Sequence, residues 1–245
     1  MNDMFSRILY ISEDCVAVNK LCGEALEGAG QGMGDMPRLL ADALAAAGKT
    51  GGDLALPAAA HRLDVPVTGC AVFARTRAAL KILSGAFAED IASGGSHLTG
   101  VTKRYWAIAE KPPGGPLSLG GDIVHWIQFD SRKNKSFAYG EPGPGRKKAV
   151  LRCRPAGEGK NYLFLEIELL TGRHHQIRAQ LAGLGLHIKG DLKYGARRSE
   201  KNGGIRLHAR SVSFPDPQSG GRITVQAEPP LRDNLWLAFE EAVLA

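Results

Sequence analysis

The sequence predicts an α+β fold in which a mostly antiparallel, mixed central sheet is flanked by helices. Strand signals outnumber helical ones, and several strands follow one another with no helix between them. That order does not fit a sheet of strictly alternating strands and helices. The chain shows no internal repeat and no long linker, so we expect a single domain over residues 1–245.

Four segments have apolar residues at helical spacing. Pro37 opens the first of them, and Gly48 stops it. The other three follow a turn or loop signal each and cover residues 77–92, 173–184 and 231–244.

The strand signals are short runs rich in β-branched, aliphatic or aromatic residues. Two of them open the chain and are separated by the turn-like Ser12-Glu13-Asp14, which predicts a hairpin. The runs cover residues 8–11, 16–18, 70–75, 105–110, 123–127, 149–154, 163–169, 206–214 and 222–226.

The composition is that of a soluble protein, with 44% hydrophobic and 23% charged residues. No apolar run is long enough to cross a bilayer, and the N-terminus lacks the apolar centre of a signal peptide. We therefore expect a cytoplasmic protein with no membrane partner. The four cysteines show no C-x-x-C spacing, which argues against a disulfide scaffold or a zinc site, and Cys70 and Cys153 are expected in the core.

Lys and Arg total 31 against 25 for Asp and Glu, an excess that suits a polyanionic partner. The alternative is an ordinary solvated surface. The positive residues form two clusters along the chain: Arg132, Lys133, Lys135, Arg146, Lys147, Lys148, Arg152 and Arg154, and then Arg197, Arg198, Lys201 and Arg206.

Three segments contain the candidate site residues. In the first, Asp64 is preceded by His61-Arg62-Leu63 and followed by a proline and a glycine, so its backbone is constrained. A structural aspartate that caps a turn or pairs with Arg62 is the alternative. In the second, Lys103 and Tyr105 share one face of a predicted strand, which suits stacking on a base beside a phosphate; a buried core tyrosine is the alternative.

The third segment runs from Gly172 to Arg178 on a predicted helix. Arg178 lies at the edge of the apolar stripe and therefore needs a carboxylate partner. Adjacent helical residues such as His174 and His175 point about 100° apart and rarely bind one ion. No cysteine or acidic residue has the spacing to complete a metal site, so we predict none.

Together these segments resemble the RluA-type pseudouridine synthases, relatives of the RsuA type. The catalytic H-R-L-D motif of that family is similar to residues 61–64, its K-x-Y motif to 103–105, and its G-R-x-H-Q-[IL]-R motif to 172–178. Further similar segments are N-K-x-x-G at 19–23, G-D-x-x-Y-G at 190–195 and L-H-A at 207–209. The match extends over almost the whole chain in the order of the family.

The resemblance implies the pseudouridine synthase fold with a catalytic cleft. It also implies that Asp64 is the catalytic carboxylate, as nucleophile or in deprotonating the sugar, with Arg178 favouring its ionised form. Tyr105 would stack on a flipped uracil and Arg62 would fill the gap that the base leaves. The residues implied to contact the substrate are His61, Arg62, Lys103, Arg173 and Gln176.

The implied reaction, the isomerisation of uridine to pseudouridine, has no redox step and no leaving product, so no cofactor is expected. The implied partner is RNA, either ribosomal or transfer, and we expect a monomer. Two alternatives come from other classes: a catalytically silent RNA-binding protein of the same fold, and a hydrolase with paired carboxylates. No second acidic residue recurs near Asp64 to support the hydrolase.

The chain departs from the family pattern in three places. Leu21 replaces a proline, which predicts a looser first turn, and Val67-Thr68 replaces Thr-Ser, which removes a hydroxyl near Asp64. The small N-terminal RNA-binding module of many relatives is also expected to be absent, so that RNA affinity would come from the basic surface of the catalytic domain.

Overall fold

A computed structural model describes residues 4–28, 30, 34–92, 100–112 and 119–244, with the side chains of 89–92 left out. Four α-helices lie in this part of the chain, each matching one of the four predicted segments. They are α1 (Met36–Ala46), α2 (Arg77–Ala92), α3 (Gln176–Gly183) and α4 (Asn234–Leu244).

The strands of the described residues include every predicted one. In chain order they are β1 (Ile8–Ile11), β2 (Cys15–Lys20), β3 (Glu24–Ala25), β4 (Gly34–Asp35), β5 (Ala58–Ala59), β6 (Thr68–Ala74), β7 (Thr102–Glu110), β8 (Asp122–Asp130), β9 (Lys135–Tyr139), β10 (Lys147–Glu158), β11 (Tyr162–Leu169), β12 (Leu207–Pro215) and β13 (Arg222–Gln226).

Eleven of these strands form one sheet with the order β1-β2-β6-β12-β7-β11-β10-β8-β9, in which β5 also pairs with β6 and β13 with β12. The β6–β12 pair is parallel and the other pairs of this sheet are antiparallel. The predicted α+β class with a mostly antiparallel mixed sheet is therefore confirmed. Strand β9 and the two-residue strands β3, β4 and β5 carried no signal in the sequence.

The central strand β7 separates two hydrophobic clusters. Tyr105 and Ala107 belong to a cluster that includes Ile177 of α3, whereas Trp106 packs with Phe239 of α4 on the other face. This alternation confirms that Tyr105 points away from Trp106, and it places Tyr105 on the same side of the sheet as α3.

Helix α3 begins three residues later than predicted, at Gln176. His175 precedes it with a left-handed backbone (φ 51°), a conformation that interrupts a right-handed helix. His174 and His175 therefore lie in a turn, and the prediction that they are helical neighbours is wrong. Their rings stack with centroids 3.8 Å apart instead of pointing apart.

Helix α4 also begins later than predicted, at Asn234 rather than at residue 231. Asp233 caps it by accepting a hydrogen bond from the backbone N–H of Trp236 (3.2 Å). Trp236 and Phe239 are the buried residues of this helix, and Leu235 and Val243 are half-buried beside them.

All four cysteines are free, and Cys70 and Cys153 are buried as predicted. None of the helices described is both long enough and apolar enough to span a membrane.

The buried ring of Phe239 predicts a stability difference within α4. Phe239→Ala should lower the free energy of unfolding by about 3–5 kcal/mol, because it leaves a cavity between α4 and the sheet. Leu237→Ala on the exposed side of the same helix should change it by less than about 0.5 kcal/mol. Denaturant unfolding of both variants checks this, and equal losses would contradict the packing described.

Candidate active site

The loop that carries Asp64 connects β5 to β6 and is held by its own backbone and by Lys20. The Val67 N–H donates to the Asp64 carbonyl (3.0 Å), which closes a turn. Lys20, at the end of β2, is fully buried and donates from Nζ to the carbonyls of Leu21 (2.8 Å), Val65 (3.0 Å) and Val67 (2.7 Å). One buried ammonium group therefore fixes the backbone on both sides of Pro66.

The turn after Lys20 is tied at the position where the family pattern has proline. The Leu21 N–H donates to Glu24 Oε2 (2.7 Å), and Arg7 forms an ion pair with the same carboxylate (2.8 Å). Proline has no N–H to donate. Leu21 therefore adds a hydrogen bond that proline could not make, and the expected looseness of this turn stays a prediction.

Arg178 of α3 joins two carboxylates. Its Nε and Nη2 donate to Asp191 Oδ2 (2.6 Å) and Oδ1 (2.9 Å), a bidentate pair in which both side chains are buried. Its Nη1 donates to Asp64 Oδ2 (3.1 Å). Burial alone would lower the pKa of Arg178, but the two carboxylates outweigh that effect and raise it. The predicted need of this guanidinium for a carboxylate is confirmed, with Asp191 as the closer partner.

His175 approaches the other side of the same carboxylate. Its Nε2 lies 3.6 Å from Asp64 Oδ2, and its Nδ1 lies 3.0 Å from the Tyr194 hydroxyl oxygen. Burial, followed by the positive charge of Arg178, lowers the pKa of His175 to about 2. The ring is therefore neutral, and its contact with Asp64 is not an ion pair. The Tyr194 hydroxyl is itself placed by the backbone N–H of Ser136 (2.9 Å).

Asp64, Arg178 and Tyr105 line one cavity of about 430 Å³. The Asp64 side chain is 16% exposed and the Arg178 side chain 5%, and Tyr105 is 6% exposed as a whole residue. The three residues come from a loop, a helix and a strand that are far apart in the sequence, and the fold brings them together. A wider groove of about 1320 Å³ shares Asp64 and Arg178 with this cavity.

The five residues expected to contact the substrate take different positions. Arg62 and Arg173 line the Asp64 cavity. Arg62 is exposed, and in the part of the chain described its guanidinium has no hydrogen bond or ion pair. Arg173 is half-buried and donates from Nε to the Lys148 carbonyl (3.0 Å). Lys103 is buried and lines an adjoining pocket together with Tyr105.

His61 and Gln176 are engaged by the protein itself. The Val72 N–H donates to His61 Nε2 (3.1 Å), and the ring stacks on Phe87 with centroids 4.6 Å apart. The Gln176 side chain donates to the Val150 carbonyl (3.0 Å) and accepts from Thr171 Oγ1 (2.7 Å). These contacts stabilise the walls of the site, and the predicted contact of both side chains with a substrate stays a prediction.

Thr68, the hydroxyl residue retained after Asp64, points toward strand β12. Its Oγ1 donates to His208 Nδ1 (2.8 Å), because the other ring nitrogen of His208 donates to the Ala227 carbonyl (2.9 Å). This bond links the end of the loop that carries Asp64 to the L-H-A segment. Val67, where the pattern has threonine, is buried and lines the Asp64 cavity with its apolar side chain.

Four residues of the site were not assigned a role from the sequence: Lys20, His175, Asp191 and Tyr194. All four lie in segments that the family comparison had singled out, at 19–23, 172–178 and 190–195. Their motif positions were therefore the signal in the sequence that could have identified them. Their individual roles depend on contacts with residues distant in the sequence, which the motifs do not specify. Among the described residues, no group of three or more His, Cys, Asp or Glu side chains is arranged to hold a metal ion.

A family model for RNA pseudouridylate synthases matches residues 14–183, well over half of the chain. The chain belongs to the RNA pseudouridylate synthase family. As a pseudouridine synthase, it is an isomerase that converts uridine in RNA to pseudouridine, and the expected RluA-type relationship is confirmed.

Named relatives cover most of this pseudouridine synthase. It is 29% identical to ribosomal large subunit pseudouridine synthase D of Zymomonas mobilis, over 99% of this chain and 74% of that protein. It is 32% identical to an uncharacterized RNA pseudouridine synthase of Mycobacterium bovis, over 89% of this chain and 67% of that one. The solved structure of human RNA pseudouridylate synthase domain containing 4 shares its fold, with a TM-score of 0.71, 19% identity and coverage of 98% and 94%.

The buried histidine of the L-H-A segment predicts how stability depends on pH. Burial lowers the pKa of His208 to about 4 from 6.5. Below pH 6.5 this histidine is protonated in the unfolded chain but stays neutral in the folded chain. The free energy of unfolding should therefore fall between pH 6.5 and pH 4, by up to roughly 3 kcal/mol from this residue. Denaturant unfolding across this range should show a shallower fall for His208→Gln; an unchanged slope would contradict the assignment.

Proposed function

We propose that this pseudouridine synthase modifies uridine in ribosomal RNA and that Asp64 is its catalytic carboxylate. The observation that carries the proposal is the meeting of Asp64, Arg178 and Tyr105 around one cavity. A carboxylate, its cation and an aromatic ring are the groups that a base-flipping isomerase needs. The ribosomal substrate is supported by the name of the Zymomonas mobilis relative.

The reaction is an isomerisation in which all atoms except one exchanged proton stay in the product. The bond between N1 and C1′ breaks, the uracil turns, and C5 bonds to C1′. The proton at C5 leaves, and N1 gains one. Asp64 acts at the sugar, either by bonding to C1′ or by taking a proton from C2′; the geometry is compatible with both routes. In each route the ionised carboxylate starts the reaction.

Arg178 is the residue that orients this carboxylate. Asp191 holds the Arg178 guanidinium by two hydrogen bonds. The third hydrogen bond of the guanidinium, to Asp64 Oδ2, therefore has a fixed direction. An Asp64 carboxylate held in this way does not need to reorient when a sugar enters the cavity, which lowers the cost of reaching the reactive geometry. Because His175 is neutral, it supports the carboxylate without neutralising it.

Tyr105 faces the same cavity from β7 and is placed to pack against the turning uracil. Its hydroxyl group is the candidate for transferring the proton from C5. Arg62, which is exposed at the rim, is free to enter the duplex space left by the flipped nucleotide. The transfer-RNA alternative, the monomeric state and the cytoplasmic location stay predictions.

Asp64→Asn should lower pseudouridine formation by at least about 1,000-fold while the fold and RNA binding are retained, because the amide has the same shape and no negative charge. Release of tritium from large-subunit ribosomal RNA labelled at C5 of uridine measures the reaction, since C5 loses its hydrogen when it bonds to C1′. Glu141→Gln, at an exposed position, is the matched control.

The same assay separates the remaining alternatives. Release from transfer RNA and not from ribosomal RNA would overturn the proposed substrate. Wild-type protein that binds RNA and releases no tritium from either would be the silent RNA-binding protein. Unfolding of Asp64→Asn, seen by circular dichroism, would make Asp64 a structural residue.

Lys147 and Lys148 should contribute to RNA binding through phosphates. Both are exposed, and the Lys148 carbonyl accepts a hydrogen bond from Arg173 at the cavity. Changing both to Ala should weaken binding and reduce the slope of log K against log salt by up to about 2. The control changes two exposed lysines elsewhere, Lys49 and Lys160, to Ala. Equal effects of the two pairs would remove this patch from the interface.

A further inference from the structure

Three aromatic side chains form a row of contacts that leads from the surface to the candidate catalytic carboxylate. The Phe129 ring lies against His174, with centroids 4.3 Å apart. His174 stacks on His175 at 3.8 Å, and His175 Nε2 lies 3.6 Å from Asp64 Oδ2. We call Phe129, His174 and His175 the aromatic row. The described mechanism uses its inner end and leaves Phe129 without a role.

Phe129 is 49% exposed, which makes it the most exposed phenylalanine among the described residues. It lies on β8 two residues after Ile127, which is buried against α3, so both side chains point to the face of the sheet that holds the catalytic cleft. His174 packs against one side of the ring. A large aromatic surface therefore remains in contact with solvent beside the cleft.

The surroundings of Phe129 are cationic rather than apolar. Arg132, Lys133 and Lys135 follow it in the β8–β9 hairpin, and Lys193 donates to the Asn134 carbonyl at the hairpin turn (3.1 Å). Asp130 is the acidic residue next to the hairpin turn, and its contact with Lys133 is long, at 4.0 Å. An exposed ring among cations suits an anionic partner that also has flat apolar faces.

The hairpin is also continuous with the catalytic cleft. Asn134 at its turn, His174, Lys193 and Asp64 line the same groove of about 1320 Å³. Ser136 of β9 contacts His174 Nδ1 through its Oγ (2.9 Å), and its N–H donates to the Tyr194 hydroxyl (2.9 Å), which itself contacts His175. The hairpin that carries Phe129 therefore adjoins the groove that contains Asp64, and Phe129 touches the groove lining through His174.

We propose that the exposed face of Phe129 is a stacking platform for an unpaired nucleobase next to the target uridine. The phosphates of that RNA strand lie against Arg132, Lys133 and Lys193. Removal of the target base from a helix leaves its neighbour without a stacking partner, and an aromatic ring replaces that partner. This inference rests on the proposed function, because it names how the same site holds the flanking nucleotide.

Fluorescence of 2-aminopurine tests the stacking directly, because this base is quenched when it stacks. The probe is a 15-nucleotide single-stranded RNA with a central uridine and 2-aminopurine on its 5′ or 3′ side, bound to Asp64→Asn protein so that no turnover occurs. We expect quenching at one of the two positions. Phe129→Ala should abolish it, and Phe129→Tyr should retain it. Leu237→Ala, which removes an exposed apolar side chain on α4, should have no effect.

Steady-state kinetics on the ribosomal substrate give a second readout. Phe129→Ala should raise KM for RNA by about 5- to 100-fold. It should leave kcat within about twofold, because the aromatic row behind it still contacts Asp64.

Absence of quenching in the Phe129-containing protein, or quenching that survives Phe129→Ala, would overturn the platform. This holds even if tritium release proceeds and depends on Asp64, so the platform can fail while the proposed function stands. If the wild-type protein instead releases no tritium, the proposed function fails, and the fluorescence experiment still reports on stacking. Loss of binding to another protein, with RNA binding unchanged in Phe129→Ala, would show a protein-docking surface in its place.

Discussion

The architecture of the site depends on one buried guanidinium. Arg178 would be costly to bury without negative charge around it, and Asp191 supplies that charge through two parallel hydrogen bonds. A further N–H of Arg178, on Nη1, then points toward Asp64. This arrangement joins helix α3, the segment that carries Asp191 and the loop that carries Asp64. Lys20 also stabilises the Asp64 loop, because its three hydrogen bonds to backbone carbonyls hold that loop within reach of Arg178.

Burial around the Asp191–Arg178–Asp64 contacts also affects the protonation of the two neighbouring histidines. His174 and His175 lie close to Asp64, and burial lowers the pKa of both. A neutral His175 ring does not compete with Arg178 for the carboxylate. In the proposed mechanism the negative charge of Asp64 is therefore paired with Arg178, whose position Asp191 sets.

Periodicity predicted the elements that bury a continuous apolar face, such as α2 and β7, and it placed Tyr105 on the correct face of its strand. It also predicted that Arg178 requires a carboxylate. It did not show that Asp191 would be the closer partner, because that choice depends on how α3 meets a segment 13 residues away. The start of α3 was missed because His175 adopts a left-handed backbone, for which the sequence has no glycine signal. Strand β9 was missed because its polar residues contact the site rather than a core.

The most direct test of the Asp191–Arg178–Asp64 contacts is the steady-state rate of the Asp191→Asn variant, measured below its melting temperature on the ribosomal substrate. Asparagine keeps one of the two hydrogen bonds to Arg178 and removes the charge. If Arg178 orients Asp64 only because Asp191 holds it, kcat should fall by about 10- to 100-fold while KM and RNA affinity stay within about threefold. A folded Asp191→Asn protein with the wild-type kcat would contradict the account.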